Sequence, residues 1–87
     1  MTPDDERAPD EGLRTSVRTV WQQALRKPVG DDHDFFDLGG DSLAAVSICT
    51  GLEERFHLRP RLRMIFDQPV FDDYVHEFSK ILQEARP

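Results

Sequence analysis

The chain has 87 residues, which suits one small domain with a single modest core. Its 17 acidic and 11 basic residues give a formal net charge of -6, so no basic stripe exists to neutralise nucleic-acid phosphates, and partners with basic docking surfaces are favoured. One cysteine cannot form an internal disulfide, and no apolar run has the length of a membrane span or the layout of a signal peptide; a reducing, cytoplasmic setting is expected.

Residues 1–10 carry Pro3, Pro9, Asp4, Asp5 and Glu6 without apolar periodicity and read as a disordered leader or linker end. The structured domain is expected over 11–85. Its first helix is marked by Leu13, Val17, Val20, Trp21, Ala24 and Leu25, which recur at three- and four-residue spacing. Asp10 suits its N-cap, Arg26 and Lys27 its last turn, and Pro28 its stop. Trp21 falls on the apolar stripe, which makes it a core residue rather than a ligand-stacking one.

Residues 29–41 read as a long loop. Phe35, Phe36 and Leu38 would expose much apolar surface if it were free, so at least one phenylalanine should plug the core, with Phe36 the expected plug. Asp31, Asp32, Asp34, Asp37 and Asp41 crowd the same stretch. Their spacing does not follow the calcium-loop pattern, and a solvated acidic loop is expected. A second helix should run from near Ser42 to about Phe56. Ala45, Ile48, Cys49, Leu52 and Phe56 would face inward, and a second row, Leu43, Val46, Ser47 and Thr50, would lie off the core face. Cys49 on the inward stripe reads as a small buried hydrophobe.

The basic loop around Pro60 carries Arg59, Arg61 and Arg63. Leu62, Ile65 and Phe66 then suit a helix of one or two turns, with its apolar side closing over the others. After Pro69, Phe71, Tyr74, Val75, Phe78, Ile81 and Leu82 make the cleanest amphipathic stripe, with Asp72 and Asp73 in its first turn and Phe78 in the core. Val70, just before it, cannot cap with its side chain. No strand-period segment appears. Three long helices and one short one predict an all-α four-helix bundle.

By spacing alone, Ser42 is a polar residue opening a helix. It shows no triad pattern with His33, His57 or His76, no Gly-x-Ser-x-Gly elbow and no phosphate-binding loop ending in Gly-Lys-Ser/Thr. The run Asp34-Phe35-Phe36-Asp37-Leu38-Gly39-Gly40-Asp41-Ser42-Leu43 changes the reading. It closely resembles the attachment motif of carrier proteins of the acyl carrier protein-like superfamily. The double glycine and Phe-Phe are most similar to the peptidyl carriers (thiolation domains) of nonribosomal peptide synthesis. The resemblance runs from about Leu13 to Leu82. It implies that Ser42 bears 4'-phosphopantetheine, with Asp41 and Gly40 beside it. A thioester-bound aminoacyl or peptidyl cargo would ride on the arm, and the chain would perform no chemistry itself.

The resemblance also implies partners: a phosphopantetheinyl transferase, an adenylation enzyme, and condensation, tailoring or thioesterase enzymes, with neither nucleic acid nor membrane, and a monomeric carrier. Leu43, Val46, Ser47 and Thr50 match positions where carriers meet those enzymes. Physically, a phosphodiester at Ser42 would lie near the first-turn N–H groups of a helix, and Gly39 and Gly40 would keep side chains out of the modifying enzyme's way. Met1 and a short tail fit a free-standing carrier, with an excised synthetase domain as the alternative. A polyketide-type acyl carrier and a cofactor-free helical interaction module are the other readings.

Overall fold

In the computed structural model, which describes residues 11–85, four helices follow in chain order: α1 (Glu11–Leu25), α2 (Ser42–Phe56), α3 (Arg63–Asp67) and α4 (Phe71–Ala85). This is the expected all-α architecture with three long helices, one short helix and a long first loop. The expected leader over 1–10 and the capping role of Asp10 lie outside the described residues.

The apolar period of α1 turns Val17, Val20, Trp21 and Leu25 into the core, with Leu13 and Ala24 packed against it. The helix stops earlier than the sequence indicates. Arg26 adopts a left-handed backbone, φ 59°, and its N–H returns to the carbonyl of Gln22 at 2.7 Å. Pro28 explains the early stop, because it excludes the helical region for the residue before it, Lys27. The Gln22 side chain then accepts the N–H of Val29 at 3.0 Å, which turns Val29 into the core.

Helix α2 has the expected inward face of Ala45, Ile48, Cys49 and Leu52, with Phe56 partly buried. Burial pushes the Cys49 thiol pKa up, opposed in part by the charge of Arg59. Gly51 brings α1 and α2 close: a β-carbon there would lie 2.8 Å from Cγ1 of Val20. Periodicity gives no sign of that requirement, since it marks large apolar residues and not absent ones.

The short helix corrects one expectation. Met64 and Ile65 face inward, while Leu62 and Phe66 are exposed. With only five residues, α3 follows the main chain's approach to α4 rather than a full helical face. Pro60, in the preceding loop, is buried. Helix α4 buries Phe71, Tyr74, Val75 and Phe78 as its stripe predicts, and Ser79 with them.

Trp21 is the centre of the aromatic core, in edge-to-face contact with Phe35, Phe71 and Tyr74 at centroid distances of 5.9, 5.1 and 5.3 Å. Phe35 is therefore the plug, at 0% exposure. Phe36, the expected plug, is 49% exposed and stacks on Phe66 instead. Neighbouring residues in this turn point apart, and the sequence does not show which one points in.

The long loop is anchored through main-chain bonds to the start of α4. Phe35 donates to the carbonyl of Pro69 at 2.7 Å, and Asp34 and Val70 form an isolated antiparallel bridge. In return, the N–H groups of Phe71 and Asp72 donate to the carbonyls of His33 and Asp31, each at 2.9 Å. Val70 indeed offers no capping side chain, but the loop's own carbonyls satisfy these first-turn donors of α4. The acidic loop is also more structured than expected. Asp31 pairs with Arg14 and Arg18, Arg14 reaches Asp72 at 2.7 Å, and the Arg18 guanidinium lies 4.9 Å from the Phe71 ring centroid. Asp34 accepts from the N–H groups of Phe36 and Asp37.

Candidate functional site

Three backbone bonds shape the turn before α2. Leu38 donates to Asp34, Gly39 to Phe36 and Gly40 to Phe35, at 3.0, 3.0 and 2.9 Å. Gly39 has φ 84°, a conformation that costs a residue with a β-carbon. Gly40 is constrained differently. A β-carbon on it would stand 2.4 Å from the Phe35 ring. Both glycines therefore serve the turn itself, a requirement additional to the access for a modifying enzyme that the sequence suggests.

Asp41 follows in extended geometry, φ -139° and ψ -173°, and is the N-cap of α2. Its carboxylate accepts the N–H of Ala44 at 2.9 Å and its carbonyl accepts the N–H of Ala45 at 2.9 Å. Ser42 is the first residue of the helix and is exposed. The N–H groups of an opening turn have no intrahelical partner, and with the helix dipole they make this end a favourable place for an anion. A phosphodiester on the Ser42 hydroxyl fits here: the hydroxyl is accessible, and the glycines before it add no side chain.

The histidines are engaged elsewhere. Nδ1 of His33 accepts the N–H of Gly30 at 2.7 Å, and the His76 ring lies 2.8 Å from the carbonyl of Asp72. His57 caps the far end of α2, about 22 Å away by helical rise. None of these contacts involves Ser42.

The second row of α2 lies as expected. Leu43 is 79% and Val46 42% exposed, and Ser47 and Thr50 are exposed with them. Val46, Ser47 and Thr50 line a shallow groove between α2 and α1, floored by Val20 and Ala24. Three further apolar residues, Phe36, Leu62 and Phe66, are exposed on the loop before Ser42 and around α3. Periodicity could not find these, because none belongs to a long helix. The basic loop is partly committed: Arg59 reaches Glu53 at 3.0 Å and Thr50 at 3.3 Å.

Comparison with known proteins places this geometry. A family model described as "Phosphopantetheine attachment site" matches residues 15–78. The chain is 31% identical over 79 residues to tyrocidine synthase 3 of Brevibacillus parabrevis, covering 90% of this chain and 1% of that protein. It is 36% identical over 62 residues to pyochelin synthetase PchE of Pseudomonas aeruginosa, covering 70% of this chain and 4% of that one. The chain thus spans a few per cent of the length of the relatives it matches. Among solved structures, the type-II acyl carrier protein BlmI of Streptomyces verticillus, involved in bleomycin biosynthesis, shares the fold with a TM-score of 0.82 at 24% identity, covering 93% of this chain and 99% of that one. The chain belongs to the phosphopantetheine attachment family, whose prosthetic group is 4'-phosphopantetheine, and is a carrier domain homologous to those of nonribosomal peptide synthetases.

Proposed function

We propose that Ser42 is the residue that carries the arm, and that the domain tethers aminoacyl or peptidyl cargo in nonribosomal peptide or hybrid biosynthesis. The observation that carries the reading is the exposed serine opening α2 directly after a Gly-Gly-Asp turn, inside the family match. When bound, the arm supplies a thiol that holds cargo as a thioester. The chain's own residues do the rest. Asp41 fixes the first turn of the helix, the turn of Gly39 and Gly40 presents the hydroxyl, and Leu43, Val46, Ser47 and Thr50 offer the surface beside it. The partners are a phosphopantetheinyl transferase that modifies Ser42, an adenylation enzyme that loads the arm, and condensation, tailoring or thioesterase enzymes that follow. Tethering raises the local concentration of cargo at each of them.

The first test is incubation with coenzyme A and a broad-specificity transferase. The wild-type chain should gain one phosphopantetheine mass. Ser42→Ala should fold normally and gain none; modification of that variant would move the site elsewhere. An acyl carrier is the second reading, favoured by the likeness to BlmI. Loading by an adenylation enzyme with an amino acid supports the first reading, and loading by an acyltransferase the second.

A further inference from the structure

The turn that presents Ser42 is a poor place for another negative charge. Residues 31–41 hold five aspartates and no lysine or arginine. A phosphodiester on Ser42 would add its anion next to Asp41, whose carboxylate is fixed by its bond to Ala44. The opening turn of α2 offsets part of that repulsion. Five of the nine cations among the described residues are held in ion pairs, two of them at Asp31. Arg14 and Arg18 are held by Asp31 and Asp72, Arg59 by Glu53, Arg63 by Asp67 and Lys80 by Glu77.

Arg26, Lys27, Arg55 and Arg61 form no ion pair among the described residues, and of these Lys27 has its ammonium against the turn. The left-handed backbone at Arg26 ends α1, and the chain that leaves it carries the Lys27 side chain across to the turn. Its Nζ lies 3.4 Å from the point where a β-carbon on Gly39 would stand. It forms no ion pair with a carboxylate among the described residues. The same glycine whose φ shapes the turn thus also leaves room for the ammonium.

We propose that Lys27 is the counter-ion of the phosphodiester at Ser42: a cation contributed by the end of α1, which steadies the arm's anionic root against the surrounding aspartates. The proposal rests on Ser42 being the attachment residue. It assigns to this lysine a positioning role toward the phosphate, and none in loading or transfer.

Lys27 and Lys80 are the chain's only lysines, so one serves as internal control for the other. Apo and modified protein, the latter checked by intact mass, are acetylated side by side near pH 8 with limiting acetic anhydride, and each lysine is followed by peptide mapping. An anion beside an amine favours its protonated, non-nucleophilic form, so Lys27 should react severalfold more slowly in the modified protein. Lys80 should be unchanged. In 1 M salt the difference should disappear, as screening requires. Apo protein with free coenzyme A at the same concentration should behave as apo protein alone.

Four results would overturn the assignment: no slowing at Lys27, equal slowing at both lysines, slowing that survives high salt and is therefore steric, or the same slowing with free coenzyme A. A wild-type chain that gains no mass at all would remove the carrier reading and this inference with it. That failure is read before any acetylation begins.

Discussion

Gly40 and the ring of Phe35 exclude one another: a β-carbon on the glycine would come within 2.4 Å of a ring that is fully buried against Trp21. The turn before Ser42 is therefore set by the core beneath it. Gly40→Ala must push the ring out of its place, at a cost of about 1–3 kcal/mol in denaturant unfolding. Removing the ring first should relieve the clash. The double variant Phe35→Ala/Gly40→Ala should lose clearly less than the sum of the two single losses. Strict additivity would show that the contact does not govern this turn.

The two adjacent phenylalanines should separate cleanly. Phe35→Ala is expected to cost about 3–5 kcal/mol, a large share of a small domain's stability. Phe36→Ala loses a half-exposed ring stacked on Phe66 and should cost about 1 kcal/mol or less. Chemical denaturation of both variants checks this. Equal losses would contradict the orientation of the turn.

Tyr74 is buried, and its hydroxyl has no hydrogen-bond partner among the described residues. Burial pushes its pKa far above the ordinary value, with a smaller contribution from Cys49. The folded state thus holds the phenolic proton more tightly than the unfolded state. The corresponding stability is complete below the free tyrosine pKa of about 10 and is lost as pH rises beyond it. Tyr74→Phe should change stability near pH 7 by about 1 kcal/mol or less, in either direction, since it removes an unpaired polar atom. It should also flatten the alkaline loss. Tyr74 is the only tyrosine, so phenolate absorbance reports on it alone. Ionisation near pH 10 in the folded protein would contradict its burial.

Val46 tests the docking surface. It is 42% exposed on the row that begins beside Ser42. Val46→Asp should leave helicity and the thermal midpoint nearly unchanged, yet slow loading or downstream transfer at least several-fold, because a charge without a partner is costly to desolvate in an interface. The row has no acidic residue until Glu53 and Glu54, so apolar contact should dominate docking. Unchanged rates with every partner would remove the docking role.

The three long helices and their inward faces were legible because each repeats its apolar residues over several turns, as Trp21 in α1 and Phe78 in α4 illustrate. The proposed attachment residue Ser42 is singled out by a local motif, and the start of α2 at that residue follows the expected boundary. Three features were not legible. Phe35 and Phe36 are chemically the same, and only the path of the turn decides which is buried. The inward role of Met64 depends on how a five-residue helix is delivered by its flanking loops. The position of Lys27 over Gly39 depends on the left-handed residue at Arg26, which a propensity argument would not assign to arginine.

The exchange of main-chain bonds between the long loop and the start of α4 limits how this domain can be cut and joined. Phe71 and Asp72 hold the carbonyls of His33 and Asp31, while Pro69 holds Phe35. A transplanted segment ending after α3 would contain the whole Ser42 motif and still lose the anchor of the loop that presents it. The smallest portable unit therefore reaches through α4, and a fusion partner attached at that end belongs beyond its last turn. A boundary drawn around the motif alone would move the serine without the scaffold that holds it in place.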